Sequence, residues 1–315
     1  GVSAKSVLTP SDHKPGATNL TLLLENKAYG GSLGVDNRGS KFNGPIQINA
    51  GVSGNALFKN YERIGLQGVV SSDRDELRYF SGFYEQPISS EGTKLFFSGS
   101  FSDSEPGGAL KIFQVKGESE TLTFRMTHPF IRSRAENLTG SMGYTHRNST
   151  TDILEQRDSD DRLRIVNLGM SYDFVDRYQG VNLMRFKLSK GFDIFNSSKT
   201  GSENLTRGDG HSDFTKLSGE MLRLQQLVPS WLLLGALSWQ YSLDKLLASE
   251  EFGLGGSRYG RAYDSSEVTG DQGIAFKLEL QKAFQPKKKY FRDAQAYSFF
   301  DFGTVWNRIL ISSGS

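Results

Sequence analysis

One pattern in the chain could carry nucleophilic catalysis: residues 30–34, GGSLG, match the G-x-S-x-G nucleophile elbow. In that motif a sharp turn between a strand and a helix exposes the serine hydroxyl to an activating base. The residues that follow, 36–39 with the sequence DNRG, are typical of a turn, and no helical periodicity comes after them. We therefore expect no catalytic residue here and no enzymatic activity.

Metal and thiol chemistry are poorly represented in the sequence. The chain has no cysteine, which removes disulfides, thiolate metal ligands and cysteine nucleophiles together. Its four histidines are scattered, with no pair at the spacing of helical metal ligands: His13, His128, His146 and His211. Asp158, Asp160 and Asp161 lie in a segment that we expect to be a polar loop, but the glycine and the distal glutamate of a calcium loop are lacking. We expect no metal ion and no cofactor.

One long segment, 243–272, combines backbone freedom with charged and aromatic side chains. Its middle, residues 255–264, reads GGSRYGRAYD. Glycine permits backbone conformations that other residues avoid, while the two arginines and two tyrosines are long enough to anchor the segment to a wall. This composition is typical of a loop that folds back into a cavity.

A carboxylate that could hold such a loop follows in residues 299–303, FFDFG. In a strand, Asp301 and Gly303 fall on one face and Phe300 and Phe302 on the other. If the phenylalanines face lipid, Asp301 faces the interior. An arginine of the loop and this aspartate would then form a bidentate ion pair that fixes the loop.

Strands must position these residues, because apolar and polar side chains alternate along almost the whole chain after residue 30. In 45–55, for example, Ile46, Ile48 and Ala50 fall on one face, with glutamine, asparagine and glycine between them. We find about thirteen such segments of about ten residues, the length at which a tilted strand crosses a bilayer. The polar face is rich in glycine, serine, threonine and paired charges, which suits a wet lumen. The predicted fold is therefore all-β, a transmembrane antiparallel β-barrel.

The connections between strands are expected to alternate between short and long. Short ones are predicted near 58–61, 86–92, 130–136, 176–180 and 228–230, with 282–293 a longer basic member. Long polar ones are predicted near 103–117, 147–161, 191–213 and 243–272. Outer-membrane barrels have short periplasmic turns and long extracellular loops. With a first strand at 30–36, residues 1–27 would lie in the periplasm.

Composition excludes two other classes of protein. The longest apolar run, about seven residues at 231–237, is far shorter than the roughly 20 residues of a spanning helix. The formal net charge of +2 lacks the basic excess of a nucleic-acid binder. An odd number of strands does not close the usual bacterial barrel, so we expect about three further strands after residue 315 and periplasmic sequence before residue 1.

The loop and its carboxylate resemble the TpsB outer-membrane transporters of two-partner secretion, of the haemolysin-activator and filamentous-haemagglutinin-transporter type. Their superfamily, which includes the barrel-assembly proteins, has a V-R-G-Y/F loop tip after a glycine pair. The positions that match or adjoin this tip are Gly255, Gly256, Arg261, Tyr263 and Asp264, with Gly260 for the valine and Ala262 for the glycine. The superfamily's F-x-D-x-G strand and the G-D-R-G start of the twelfth strand are matched by Asp301, Gly303, Gly270, Asp271 and Gly273, with Gln272 for the arginine.

Two further stretches resemble the TpsB branch in particular. Residues 9–10 and 15–22 resemble the close of the second polypeptide-transport-associated (POTRA) domain, and 128–134 resemble the P-x-x-R-S-R turn. The resemblance covers nearly the whole chain and implies a barrel of about sixteen strands preceded by a plug helix and POTRA domains. It assigns residues 1–27 to the C-terminal end of an α/β POTRA domain and 28–315 to the barrel, truncated before its last strands.

The resemblance implies a translocator in the bacterial outer membrane, with its POTRA side in the periplasm. It would secrete an unfolded exoprotein of the TpsA type (a haemolysin, adhesin or contact-dependent toxin) without ATP. Its surroundings would be outer-membrane lipid, with no nucleic acid, and it would act as a monomer. Arg261 bound to Asp301 would hold the loop in a transport-competent position. An assembly factor for other barrels, a passive porin, and a barrel tethered to a secreted enzyme domain are alternatives.

Overall fold

The computed structural model describes residues 2–10, 18–37, 39–284 and 294–308. Most of these residues are in antiparallel strands. The helical elements within these ranges are two short 3₁₀ helices, Gly108–Phe113 and Ala248–Glu250. Across the described ranges, neither helix has the length and apolarity needed to span a membrane.

Thirteen strands form one antiparallel sheet, in agreement with the predicted barrel wall. Each strand pairs with its neighbour in sequence, except that the strand Trp231–Ser242 pairs with the strand Gln272–Phe284 across a connection that holds two further short strands. The sheet consists of β3 (Tyr29–Asp36), β4 (Gln47–Asn55), β5 (Arg63–Ser71), β6 (Arg78–Pro87), β7 (Lys94–Ser104), β8 (Lys116–Arg132), β9 (Glu136–Ile153), β10 (Gln156–Val175), β11 (Val181–Gly191), β12 (Thr215–Val228), β13 (Trp231–Ser242), β16 (Gln272–Phe284) and β17 (Ala294–Trp306).

The alternation in sequence becomes an apolar outer face and a polar inner face. Val52 of β4 and Leu122 of β8 point outward and are each 61% exposed. Ser189, Gln240 and Ser242, by contrast, are buried on the inner side. A soluble protein has the reverse arrangement, whereas a barrel in a bilayer needs apolar side chains outside and polar ones towards its lumen.

Most connections have the predicted lengths, but the long loop predicted at 147–161 is wrong. There β9 and β10 continue as a ladder and turn at Leu154 and Glu155, which have φ values of 51° and 63°. A two-residue turn with both φ values positive matches the twist of the strands it joins. Both faces of the β9–β10 hairpin are polar near its turn. The alternation of apolar and polar side chains therefore ends there, although the two strands remain paired. The tip of the predicted 282–293 turn, residues 285–293, lies outside the described residues.

The first two strands lie apart from the barrel wall. β1 (Val2–Pro10) and β2 (Thr18–Asn26) pair with each other as a two-stranded antiparallel sheet. Residues 11–17, which include His13 and the start of the predicted POTRA close at 15–22, lie outside the described residues. The assignment of residues 1–27 to a POTRA domain stays a prediction.

Candidate functional site in the barrel lumen

The connection from β13 to β16, residues 243–271, runs along the inner wall. Within it β14 (Phe252–Leu254) and β15 (Val268–Gly270) form a small hairpin. A Cβ atom on Gly273 of β16 would overlap Phe252, and one on Gly303 of β17 would overlap Leu254. The hairpin therefore rests directly on the backbone of two wall strands. Glycine at these positions permits the close approach.

Beyond the hairpin, residues 255–267 form what we call the tip. Gly255, Gly256 and Gly260 have φ values of +121°, +87° and +84°, which L-amino acids with a side chain rarely adopt. The N–H of Gly255 donates to the carbonyl of Tyr259 at 3.0 Å, and that of Gly256 to the carbonyl of Tyr263 at 3.1 Å. These bonds close the tip on itself, so its glycines set the direction in which the intervening side chains point.

Arg261 of the tip binds two wall carboxylates. Its Nε and Nη2 donate to Oδ2 and Oδ1 of Asp301 at 3.1 and 3.0 Å, and its Nη1 donates to Oε2 of Glu279 at 2.5 Å. The Asp301 Oδ2 also accepts the backbone N–H groups of Gly260 and Arg261, both at 3.2 Å. The side chains of Arg261 and Asp301 are 19% and 6% exposed. Charge-assisted, bidentate bonds in such a shielded place are stronger than neutral ones.

An aromatic ring completes this site. The Cζ of Arg261 lies 3.6 Å from the centre of the Phe299 ring, a cation–π contact. Our sequence reasoning missed both Phe299 and Glu279. Phe299 lies two residues before Asp301 and therefore points to the same face of β17, so the sequence alternation could have identified it. Glu279 is brought in by strand register, because it pairs directly with Phe299, and register between β16 and β17 is not written in either strand alone.

The tip contacts the wall through a different tyrosine from the one that the resemblance singles out. Tyr259 is 8% exposed and packs against Ala236 and Ala275. Tyr263 is 66% exposed. Asp264 contributes its backbone to the tip, because its carbonyl oxygen occupies the space that a Cβ on Gly255 would need. The functional roles of Tyr263 and Asp264 stay predictions.

Asp271, in the predicted start of the twelfth strand, joins two long connections. It is fully buried, and it accepts hydrogen bonds from Arg207 Nη1 at 2.5 Å and from the N–H groups of Leu246 and Arg308, each at 2.8 Å. Arg207 belongs to the connection 192–214. Burial disfavours the charge of Asp271, but its hydrogen bonds with Arg207 and Leu246 prevail and lower the pKa of the carboxyl. Beside it, Gly270 lies against the backbone of Trp306.

Glu250 is a further buried carboxylate of the same connection. It binds Arg147 of β9 at 2.7 Å and Lys216 of β12 at 2.8 Å, so it ties the connection to two other wall strands. Beside it lies a set of apolar side chains, each at most 3% exposed, which we call the mouth cluster: Leu163, Ile165, Phe214, Leu246 and Leu247. These residues pack together at the end of the barrel from which the long connections leave.

Elsewhere the inner wall is polar, and its hydrogen-bonding groups are spread along the strands rather than directed at one point. A hollow of about 440 Å³ on the inner wall of β8 to β11 is lined largely by hydroxyls, glycines and cations, including Thr123, Thr139, Ser141, Arg125, Arg185 and Lys187. Such a surface can hydrate an extended peptide without selecting its sequence.

The other patterns with possible chemistry are not brought together. Residues 30–34 lie inside β3, and the next element of the described chain is the strand β4 rather than a helix. Asp158, Asp160 and Asp161 lie in β10 rather than in a loop. Over the same described ranges, no group of three or more metal-ligating side chains converges.

Comparison with known proteins gives consistent matches. Residues 18–311 match the family model described as haemolysin secretion/activation protein ShlB/FhaC/HecB. The heme/hemopexin transporter protein HuxB of Haemophilus influenzae is 24% identical over 284 residues, which cover 89% of this chain and 50% of that protein. The chain thus spans about half the length of the curated relatives it matches.

Solved structures match in fold. CdiB from Escherichia coli superposes with a TM-score of 0.80 at 21% identity, covering 95% of this chain and 56% of that one. CdiB from Acinetobacter baumannii gives 0.69 at 18% identity, covering 97% and 55%. BamA from Haemophilus ducreyi gives 0.62 at 12% identity, covering 97% and 63%. At these identities the matches show a shared fold.

Proposed function

Because the chain belongs to the ShlB/FhaC/HecB family of haemolysin secretion/activation proteins, we propose that it forms the barrel of a translocator for an unfolded exoprotein. Proteins of this family are outer-membrane transporters of two-partner secretion, and the outward apolar face of the sheet fits that membrane. The exported partner would be a TpsA-type exoprotein. HuxB is named for heme/hemopexin transport, so a hemopexin-binding exoprotein is one candidate, alongside a haemolysin, an adhesin or a contact-dependent toxin.

The observation that carries the proposal is the tip bound to the inner wall. A passive porin needs an open passage, whereas here Arg261 holds the tip on Asp301 and Glu279. The mouth cluster and the ion pairs of Glu250 hold the same connection to the inner wall where the long connections leave the barrel. A translocated chain must displace these groups, and the polar inner wall can hydrate it as it moves. Export by this route would not use ATP.

Two further assignments complete the proposal. Residues 1–27 would end a periplasmic POTRA domain that captures the partner, for example by strand addition to a sheet edge. The translocator would act as a monomer, because the passage lies inside one barrel.

Arg261→Ala in the full-length protein tests the role of the tip. We expect secretion of the partner to fall strongly, because the tip loses the guanidinium bonds to both carboxylates and keeps only the two backbone N–H bonds to Asp301. Arg258→Ala is the matched control, since that arginine lies in the same tip, is largely exposed and makes its one ion pair within the described residues with Glu220, at 3.0 Å. Secretion and the amount of folded barrel in outer membranes are measured together. Normal secretion at normal abundance in Arg261→Ala would reject the proposed role.

A factor that assembles other barrels is the alternative with a specific observation in its favour, namely the fold shared with BamA. The same strains separate the two functions. Loss of the partner from the medium with unchanged levels of other barrels supports export, whereas depletion of other barrels supports assembly.

A further inference from the structure

On the outer surface of the barrel, we propose a binding site for a phosphorylated, multiply acylated glycolipid of the outer leaflet. The site has two adjoining parts. An arginine-lined cavity of about 390 Å³ would hold the phosphate, and an apolar groove of about 540 Å³ beside it would hold an acyl chain. His146 lines both. The site is independent of the proposed export function.

Strand register places both parts on the lipid-facing side. Arg164 pairs with His146, His146 with Leu122, Leu122 with Gly99, and Gly99 with Gly82. Directly paired residues of antiparallel strands point to the same face of a sheet. Leu122 is an outward, exposed side chain, so the whole row faces outward.

The row also crosses from an apolar band to a polar one. On β9 the outward residues change from Met142 and Tyr144 to His146 and Asn148 as the strand approaches its turn at Leu154. That turn lies on the same side as the long connections, which is the extracellular side. The arginine-lined cavity is therefore at the height of the outer-leaflet headgroups, where a cation meets lipid phosphate.

The charges in the cavity favour an anion. Arg157 and Arg162 each have a carboxylate partner at 2.6 Å, Asp152 and Asp160 respectively. Arg164 is 2% exposed and has no carboxylate partner among the described residues.

The bonds that Arg164 does make leave part of its guanidinium free. It donates through Nε and Nη1 to uncharged oxygens of Phe195, Arg147, Asn148 and Leu163, and within the described chain its Nη2 donates to none. A buried cation without a counter-ion is costly. A phosphate would supply both the charge and the acceptor.

The groove beneath the cavity has the shape for an acyl chain. Gly82 and Gly99 lie side by side and form its floor, and its walls are Tyr84, Phe97, Leu122 and Phe124. At its upper end the hydroxyl of Tyr144 is buried and has no hydrogen-bond partner within the described residues. Tyr144 lies two residues from His146 on the same face of β9, and His146 pairs with Arg164, so a phosphate bound there would lie beside both groups.

Native mass spectrometry of the full-length protein in detergent tests the proposal. The probes are bis-phosphorylated lipid A, its dephosphorylated form, phosphatidylethanolamine and inorganic phosphate. We expect lipid A to bind about ten-fold more tightly than its dephosphorylated form, the effect of one charge-assisted bond. Inorganic phosphate should not compete at equal concentration, because it lacks the acyl chain.

Two variants divide the site, and a third is the control. Arg164→Gln removes the unpaired charge, and Gly99→Leu fills the floor of the groove, where only the end of the Leu122 side chain lies close. Each should weaken lipid A binding about ten-fold. Arg177→Gln, in the turn at the other end of the barrel, should leave it unchanged. The proposal is overturned if Gly99→Leu binds normally, if dephosphorylated lipid A binds equally well, or if inorganic phosphate alone displaces the lipid.

Discussion

Replacing Asp301 by asparagine should release the tip from the wall. Asp301 accepts four hydrogen bonds, two from the guanidinium of Arg261 and two from the backbone N–H groups of Gly260 and Arg261. Asparagine keeps the size but removes the charge and turns one acceptor into a donor. Glu279 still holds one guanidinium nitrogen. The loss of one charge-assisted bond and the weakening of another cost about 3 kcal/mol, or about 100-fold in the docking equilibrium.

Limited trypsin digestion measures this equilibrium. Trypsin cleaves after arginine, and the peptide bond after Arg261 can enter the protease only when the tip leaves the wall. If docking is fast relative to cleavage, the cleavage rate follows the open population. We expect cleavage after Arg261, identified by mass spectrometry, to be about 100-fold faster in Asp301→Asn. Glu279→Gln, which weakens a single bond of 2.5 Å, should accelerate it about ten-fold.

One result would refute this reasoning. If Asp301→Asn is cleaved after Arg261 at the wild-type rate while the barrel remains folded, the ion pair does not hold the tip. The packing of Phe252 and Leu254 on the glycines of the wall would then be sufficient.

Three further predictions concern other parts of the barrel. Glu250→Gln leaves the buried Lys216 without its counter-charge and should destabilise the barrel by about 3–5 kcal/mol. The loss would be measured as a lower unfolding temperature on SDS gels. The control Glu155→Gln, in the exposed turn between β9 and β10, should leave that temperature unchanged. Gly303→Val should displace the β14–β15 hairpin and expose the tip to trypsin. The control Gly235→Val should not, because no atom lies within 4 Å of the Cβ position at Gly235. Equal digestion of the two variants would show that the hairpin does not depend on close packing against Gly303. The guanidinium of Arg223, followed by backbone N–H groups of its own turn, lowers the pKa of Asp176 to about 2. Because the pKa of Asp176 is lower in the folded protein, the ionised carboxylate stabilises the folded turn at pH values above about 3.8, and this contribution is lost as the pH falls through about 2. Hydrogen exchange of the backbone amides in the turn should accelerate over that pH range. An exchange rate that shows no such acceleration would contradict the prediction.

The same long connection is held by carboxylates in three separate surroundings. Glu250 binds cations of β9 and β12, Asp271 binds an arginine of the connection 192–214, and Asp301 binds the tip. Because the three sets of partners do not overlap, we expect that the tip could leave the wall while Glu250 and Asp271 keep their ion pairs. Opening a passage would need both steps.

The sequence by itself determined the fold class, the number of strands in the sheet and most connections, because a two-residue alternation is a local property of each strand. It also indicated that Asp301 faces the lumen. Neighbouring residues of a strand point to opposite faces, and Asp301 lies between two phenylalanines that face lipid. The error at 147–161 has the same origin. Where both faces of the hairpin are polar, alternation disappears, although the backbone still pairs.

Only the tertiary structure decided which groups meet. Glu279 reaches Arg261 because β16 and β17 pair in one particular register, and Glu250 finds its partners on strands far away in sequence. The choice of Tyr259 over Tyr263 as the buried ring depends on the backbone path set by Gly255, Gly256 and Gly260. A bidentate pair or a packed ring needs ångström-scale placement of groups distant in sequence, and spacing along the chain does not encode that placement.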